Sequence, residues 1–271
     1  MPFKKLFTLL LTILLVSACQ SVRTSQPISW PEGASIAASH FKHMVLTQGA
    51  QNPVRLHVYI EGDGLPFRNR FQIATDPSPR ELMMLQLMKQ DKNRSLYLGR
   101  PCYFTSSNQD MADEKCNFHW WTDARYSDEV VTSMVDTLRQ HLKNHPARGV
   151  TLIGHSGGGT IATLMAQRMP EVDQLVTLAA NLDTQAWTRY HHFTPLRNSL
   201  NPAAEIKTAT PLKQIHFMGN KDKNIPPELA YDFLTSIGQQ ANIIKDADHN
   251  CCWEEQWPSL LLQIEQQANR H

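Results

Sequence analysis

The sequence predicts an α/β fold: a mostly parallel central sheet with helices on both faces. Three observations support this class. The apolar run 150–153 is followed by a glycine-rich turn and then by a helical segment at 160–168. Val130, Met134, Leu138 and Leu142 repeat at the spacing of a helix with one apolar face. Further short apolar runs, which predict buried strands, lie at 55–60, 95–99, 175–178, 214–219 and 241–244.

The turn Gly154-His155-Ser156-Gly157-Gly158 lies between the predicted strand and the predicted helix. That context is typical of a nucleophile elbow, in which a strained serine exposes its oxygen above the sheet. The flanking glycines leave out side chains that would clash, and the amide of Gly157 points into the same space. We therefore predict Ser156 as a nucleophile; a glycine-rich turn without chemistry is the alternative.

A serine hydroxyl needs a base to take its proton. In folds with a nucleophile elbow of this kind, the base follows the serine along the chain. After residue 222 the remaining histidines are His249 and His271. His271 is the chain terminus, where fraying is common. His249 comes just after the run 241–244, in the loop where a base would reach the serine. We predict His249 as the base.

The acid that orients this base is predicted after another strand. Asp222 lies in the loop after 214–219, where its carboxylate would accept a hydrogen bond from the imidazole and fix its tautomer. Asp183, after the run 175–178, is the rival candidate. Asp248 adjoins the base and is interpreted as a turn residue.

Acyl transfer also needs donors for the developing oxyanion. The amide of Gly157 is one candidate. The second is the amide of Asp63, in the loop Glu61-Gly62-Asp63-Gly64 that follows the run 55–60. The carboxylates of Glu61 and Asp63 are expected to point elsewhere, because negative charge would oppose the oxyanion. A plain Asp-Gly turn is the alternative.

With Ser156 in its elbow, Asp222 in a Gly-x-x-Asp-x-x-Ile-Pro setting and His249 after the last strand, residues 36 to 268 resemble the α/β-hydrolase family. Further stretches resemble a bacterial lipoprotein branch of that family. The resemblance implies a serine hydrolase and leaves the substrate open. The stretches are Ile60-Glu61-Gly62-Asp63-Gly64, Gly99-Arg100-Pro101-Cys102, Trp121-Thr122-Asp123-Ala124-Arg125, Asn181-Leu182-Asp183 and Ser199-Leu200-Asn201-Pro202.

The start of the chain predicts a lipoprotein signal peptide over residues 1–18. Lys4 and Lys5 precede an apolar run from Leu6 to Val16. That run is shorter than the roughly 20 apolar residues of a membrane span. Val16-Ser17-Ala18-Cys19 resembles a lipobox, which implies lipidation of Cys19 and cleavage before it. An ordinary signal peptide with a chance cysteine is the alternative.

Residues 19–35 are polar and predict a tether, which leaves residues 36–271 for one α/β-hydrolase domain. Gln20 follows the cysteine. In the lipoproteins that this start resembles, the lack of Asp there favours the outer membrane. The predicted location is the bacterial cell envelope, lipid-anchored in the outer membrane and facing the periplasm.

The composition argues against nucleic acid as a partner. The formal charge of +1 comes from 26 basic and 25 acidic residues, and removal of Lys4 and Lys5 with the signal peptide leaves 24 basic residues. A nearly neutral chain without a basic run interleaved with aromatics lacks the electrostatic footprint of such binding. No Cys-x-x-Cys spacing supports a zinc site. No metal or organic cofactor is expected.

Four cysteines follow Cys19, and an oxidising compartment permits three pairings among them. Cys102 and Cys116 flank a polar loop, and we predict a bridge between them. Cys251 and Cys252 are adjacent; they are predicted to form a vicinal bridge or to stay thiols. Bridges from this pair to Cys102 and Cys116 are the other possibility.

A polar, aromatic stretch at 185–199 predicts a short cap over the pocket, with Trp187, Tyr190 and Phe193 as substrate contacts. Trp120-Trp121 is assigned to the pocket or to packing. Arg100 and Arg125 are assigned to anion binding or, as is more common for such arginines, to holding loops against carboxylates and carbonyls.

The predicted function is that of a serine hydrolase cleaving an ester-like bond (carboxylester, lysolipid or thioester) through a Ser-His-Asp triad and an acyl-enzyme. Its partners would be a small-molecule or lipid ester and, through the anchor, the membrane. The alternative is a catalytically inactive binding or envelope structural protein on a hydrolase scaffold. Fold alone does not choose between them.

Overall fold

One large sheet organises the chain. The structure, a computed structural model, describes residues 30–49, 55–209 and 211–269. Within these residues, eight strands form the sheet in the order β1-β2-β6-β3-β7-β8-β9-β10, and β4 and β5 form a separate hairpin. The strands are β1 Ser35–Ala38, β2 Lys42–Gln48, β3 Leu56–Ile60, β4 Phe67–Asn69, β5 Gln72–Ile73, β6 Arg94–Leu98, β7 Val150–His155, β8 Val172–Leu178, β9 Lys213–Gly219 and β10 Ala241–Ile244.

The sheet is parallel from β6 through β10 and antiparallel at the other edge, where β2 pairs with both β1 and β6. The helices are α1 Met83–Gln90, α2 Asp128–Asn144, α3 Gly157–Ala166, α4 Thr184–Tyr190, α5 Pro202–Glu205, α6 Glu228–Ser236 and α7 Trp253–Ala268. The predicted mostly parallel sheet is therefore confirmed. The predicted strands and the long helix after residue 128 are also present.

Helices cover both faces of the sheet because its strands alternate their buried side chains. Tyr59 of β3 packs on one face with Trp257 of α7, at a ring-centroid distance of 6.0 Å. Its neighbour Val58 packs on the other face with Met134 of α2 and Ile161 of α3. Two apolar layers thus sandwich the sheet.

The predicted tether is too long at its C-terminal end. The ring of Trp30 packs edge-on against Phe104 at a centroid distance of 6.4 Å, and its Nε1 donates a hydrogen bond to the carbonyl of Ala34. Ser35 already pairs with Val45 in the sheet. Residues 30–35 therefore belong to the domain, because one large aromatic side chain fixes this polar segment. Residues 1–29, with the predicted signal peptide and Cys19, lie outside the described residues.

Candidate active site

Ser156 connects the end of β7 to the start of α3. Its backbone has φ 51° and ψ −124°, a conformation that a side-chain-bearing residue adopts at a cost on the order of 1–3 kcal/mol. Its amide donates to the carbonyl of Leu178 at 2.9 Å, which fixes the turn against the end of β8. The strained turn predicted from the sequence is present.

Two glycines make this turn possible. A Cβ on Gly158 would lie 2.3 Å from the carbonyl oxygens of Ile60 and Glu61, and one on Gly154 would lie 2.4 Å from the carbonyl oxygen of Gly158. Neither distance is sterically allowed. The start of α3 therefore packs directly against the end of β3, which brings the loop after β3 beside Ser156.

His249 lies between β10 and α7 and contacts Ser156. Its Nε2 is 3.0 Å from Oγ of Ser156, and its Nδ1 is 2.8 Å from Oδ2 of Asp222. A carboxylate can only accept here, so Nδ1 carries the hydrogen and Nε2 is left as the acceptor for the serine hydroxyl. This is the tautomer that a general base for Ser156 requires.

Asp222 follows β9 and is almost fully buried. Its second oxygen, Oδ1, accepts hydrogen bonds from the amides of Asn224 and Ile225, both at 2.8 Å. These two donors hold the carboxylate so that Oδ2 faces His249. The structure thus brings together Ser156, His249 and Asp222, the three residues predicted as nucleophile, base and acid.

The rival acid, Asp183, has a different role. Its Oδ1 accepts from the amides of Gln185 and Ala186 at 3.0 Å, as the N-cap of α4, and from Nδ2 of Asn201. Asp248 is a turn residue, whose Oδ1 accepts from the amides just after it.

The two predicted oxyanion donors flank the serine. Gly157 is the first residue of α3, where amides have no partner within the helix. Gly62, next to Asp63, packs so closely on the elbow that a Cβ there would lie 3.1 Å from Cβ of Ser156. The segments carrying the Gly157 and Asp63 amides therefore meet beside Ser156.

The sequence analysis expected the carboxylate of Asp63 to point away from the oxyanion site. That expectation is wrong, because the carboxylate lies beside Gly157. A Cβ on Gly157 would lie 2.0 Å from its Oδ1. The carboxylate forms ion pairs with Arg100 and Arg125, and it accepts from the hydroxyl of Tyr126 at 2.6 Å. Its negative charge is therefore compensated where it lies. The two arginines serve to hold a loop, the more common of their two assigned roles.

The charges also determine the ionisation of Asp63. Burial would raise the pKa of this carboxyl, but Arg125 and Arg100 outweigh burial and hold the pKa well below its usual range. Removing one partner from a buried ion pair of this kind typically costs about 3–5 kcal/mol. The network thus fixes the backbone of Asp63 firmly beside the elbow.

Glu61 does point away, as expected. Its Oε1 accepts from the amides of Met84 and Leu85 at the start of α1. Burial raises the pKa of the Glu61 carboxyl to about 8, despite these donors.

His155 is a residue of the site that the sequence analysis missed. It is buried, and its Nε2–H donates to the carbonyl of His249 at 2.8 Å. Burial and the neighbouring His249 lower the pKa of His155 to about 3, so the ring is neutral. It ties the loop of the predicted base to the elbow. Its place in the motif gave no signal, because any side chain can precede the serine.

A cleft of about 2360 Å³ opens above Ser156. Trp187 and Phe193 line it, as predicted for the cap, whereas Tyr190 does not. Trp120 and Trp121 also do not line it; Trp121 is buried, and its Nε1 donates to the carbonyl of Ala74. The predicted short cap therefore forms one wall of the cleft.

The cysteines pair locally. Cys102 bonds to Cys116, as predicted, and Cys251 bonds to Cys252. The first bridge closes the loop that contains Tyr103, whose hydroxyl donates to the carbonyl of Asp63 at 2.9 Å. This loop supports the Asp63 segment through that hydrogen bond and does not line the cleft.

Over residues 30–49, 55–209 and 211–269, no three His, Cys, Asp or Glu side chains are grouped so that they could hold a metal ion. Within the same ranges, no helix is long and apolar enough to cross a membrane.

The fold and the site define an α/β hydrolase, with a serine at the turn between a central strand and a helix. The family described as serine hydrolase (FSH1) matches residues 86–250, more than half of the 271 residues. The chain belongs to this serine hydrolase family.

Solved structures agree on the fold. The proline iminopeptidase-related protein of Thermus thermophilus superposes with a TM-score of 0.60 at 11% identity, covering 86% of this chain and 98% of its own. Est1E of Butyrivibrio proteoclasticus gives 0.58 at 12% identity, covering 88% and 100%. Mouse alpha/beta hydrolase domain-containing protein 10 gives 0.53 at 14% identity, covering 87% and 98%. At such identities the likeness concerns the fold alone. No protein of curated function shows significant sequence similarity to this chain.

Proposed function

We propose that this serine hydrolase cleaves an ester-like bond, with Ser156 as nucleophile, His249 as base and Asp222 as acid. One observation carries the proposal. A single hydrogen-bonded chain runs from Asp222 through His249 to Ser156, with distances of 2.8 and 3.0 Å, and it ends at the floor of a cleft. A carboxylester, a lysolipid or a thioester would fit this chemistry.

In the first half of the reaction, Oγ of Ser156 attacks the carbonyl carbon while its proton passes to Nε2 of His249. Asp222 stabilises the imidazolium through Nδ1–H. The amides of Gly157 and Asp63 would donate to the oxyanion of the tetrahedral intermediate. His249 then returns the proton to the leaving alcohol or thiol, which leaves an acyl-enzyme on Ser156.

In the second half, water attacks the acyl-enzyme and gives its proton to His249. The second tetrahedral intermediate collapses, the acid departs and Ser156 regains its proton. The ion pairs of Arg100 and Arg125 with Asp63 matter to both halves of the reaction. They neutralise the Asp63 carboxylate, which would otherwise oppose the oxyanion beside Gly157.

The walls of the cleft support an ester with an apolar part. Its apolar lining comes from two segments: Leu65 and Phe67 from the first, and Trp187, Phe193 and Leu196 from the cap. The cleft also exceeds the roughly 300–1,000 Å³ usual for small-molecule pockets, which leaves room for a lipid-sized substrate.

A fluorophosphonate probe tests the proposal against an inactive binding protein on the same scaffold. We expect the purified chain to be labelled at Ser156, because such probes react with serines activated by a base. Mass spectrometry of the labelled peptide locates the adduct, and the Ser156→Ala variant is the control. An intact chain without labelling, or with equal labelling of the variant, contradicts the assignment.

We further propose that the enzyme is a lipoprotein of the bacterial envelope, lipidated at Cys19, anchored in the outer membrane and facing the periplasm. The supports are the charged start, the short apolar run and the lipobox-like Val16-Ser17-Ala18-Cys19. Several acyl chains would give stable anchoring, where one chain binds only marginally.

Mass spectrometry of protein from its native host tests the anchor. We expect an acylated N-terminus at Cys19, and a Cys19→Ser variant that stays unprocessed or leaves the membrane fraction. An unmodified, soluble chain that begins at residue 19 would rule out lipidation.

A further inference from the structure

The most exposed large apolar side chain in the described part of the chain lies at the mouth of the cleft. Phe71 is 97% exposed at the tip of the β4–β5 hairpin, and Phe67 and Leu65 are 44% and 40% exposed beside it. All three line the same cleft that opens above Ser156. Exposed aromatic side chains clustered at a site entrance indicate a surface that is covered in use.

The hairpin is held in this position. The amide of Leu65 donates to the carbonyl of Pro77 at 2.7 Å, and the amide of Ala74 donates to that of Pro66 at 2.9 Å. At the tip, Oδ1 of Asn69 accepts from the amide of Phe71 at 2.9 Å. Phe71 is therefore presented to the outside by hydrogen bonds at both ends of the hairpin.

The charged side chains of the hairpin are all positive. Arg68 and Arg70 flank Asn69 and are exposed, and residues 64–75 contain no Asp or Glu. The acidic side chains that line the outer part of the cleft belong to other segments: Glu32 before β1, Glu81 before α1, Asp123 before α2 and Glu254 in α7. Aromatic and cationic side chains that alternate in one short element suit the surface of an anionic lipid bilayer.

The N-terminal end of the domain lies at the same mouth. Trp30, the first described residue, lines the cleft together with Glu32. Cys19 precedes Trp30 by eleven residues, which can span at most about 40 Å. An anchor at Cys19, which rests on the proposal above, would keep this mouth within about 40 Å of the membrane.

We propose that the β4–β5 hairpin docks on an anionic phospholipid bilayer, inserting Phe67 and Phe71 between headgroups that Arg68 and Arg70 contact. The cleft then opens onto the membrane surface. An ester substrate could pass from the lipid phase between Leu65 and Phe193 to Ser156 without crossing bulk water.

Fluorescence quenching by lipids with brominated acyl chains tests the docking directly. The chain, in the form its host produces, is bound to vesicles of phosphatidylglycerol and phosphatidylcholine. We expect Phe71→Trp to add emission that the bromines quench, measured as the difference from the parent chain. Leu262→Trp is the control. Leu262 is also exposed, at 59%, but it lies about 13 Å along α7 from the first residue of that helix, Trp253, and it does not line the cleft.

The arginines are tested in the Phe71→Trp background. Replacing both by glutamine, R68Q with R70Q, should shift the ratio of inserted to withdrawn hairpin about 30-fold, because each arginine near an anionic surface contributes roughly a factor of five. Arg148→Gln is the matched control. Arg148 is exposed just before β7, at the opposite edge of the sheet from Ser156.

The outcomes separate docking from the other proposals. Equal quenching of Phe71→Trp and Leu262→Trp, or none in either, overturns the proposal, as does an equal effect of Arg148→Gln. So does Phe71→Trp emission that is shielded without vesicles in a concentration-dependent way, since a second copy then covers the hairpin. Because docking needs no turnover, Ser156→Ala combined with Phe71→Trp should be quenched like Phe71→Trp alone, so failed catalysis and failed docking are read separately.

Discussion

Turnover of an ester by the Ser156→Ala variant is expected to fall by about 10⁶, the loss seen when members of a triad that act as a unit are removed. The variant loses the oxygen that His249 approaches at 3.0 Å. The backbone stays strained with either residue, because φ 51° is imposed by the contacts of β7 and α3 with their neighbours. We therefore expect a folded protein without its nucleophile.

Hydrolysis of a short chromogenic ester measures the loss, and thermal unfolding checks the fold. Ser259→Ala is the matched control, since Ser259 is an exposed serine of α7 whose hydroxyl donates only to the carbonyl of Gln256. Its activity should equal that of the parent. Activity of Ser156→Ala within tenfold of the parent, with unchanged unfolding, would place the nucleophile elsewhere.

The elements that carry the site could be predicted because their signals are local. The strands before Ser156 and Asp222, β7 and β9, are buried along almost their whole length, as expected for strands covered on both faces, and a turn or loop follows each. Parallel strands place these loop ends at one edge of the sheet. The order of Ser156, Asp222 and His249 along the chain was therefore enough to predict that the three residues lie close together.

The antiparallel edge of the sheet and the β4–β5 hairpin were not predicted. Strand β2 has the sequence Lys-His-Met-Val-Leu-Thr-Gln, in which polar residues flank an apolar run of only three, and its partner β1 is only half-buried. The hairpin consists of two short, mostly exposed strands. Exposed pairing leaves little hydrophobic pattern in a sequence, so neither element had a signal to detect.

The surroundings of the site depend on contacts between distant segments. Asp63 meets Arg100 and Arg125 only after the loops following β3 and β6 have been folded against the segment before α2. No spacing along the chain shows that the Asp63 carboxylate lies beside Gly157, or that His155 holds the carbonyl of His249. Local patterns reveal the reacting groups, whereas their support appears only in three dimensions.

Asp222→Asn is expected to lower kcat by about 10⁴, as is typical when the acid of such a triad becomes an amide. The reason lies in the two amides of Asn224 and Ile225 that donate to Oδ1 of Asp222. To satisfy these donors, the new side chain must place its oxygen on them and its NH₂ group toward Nδ1 of His249. Nδ1 must then accept, so the proton moves to Nε2, which can no longer take the proton of Ser156.

Asp183→Asn is the matched variant, because it makes the same chemical change at the rival position. Asparagine caps helices as well as aspartate does, so α4 should keep its N-cap and the activity should stay within a few-fold of the parent. Steady-state rates of both variants on one ester, with thermal unfolding as the check on folding, decide between the positions. A larger loss for Asp183→Asn would move the acid to the loop after β8, and the hydrogen bond between Asp222 and His249 would then be structural.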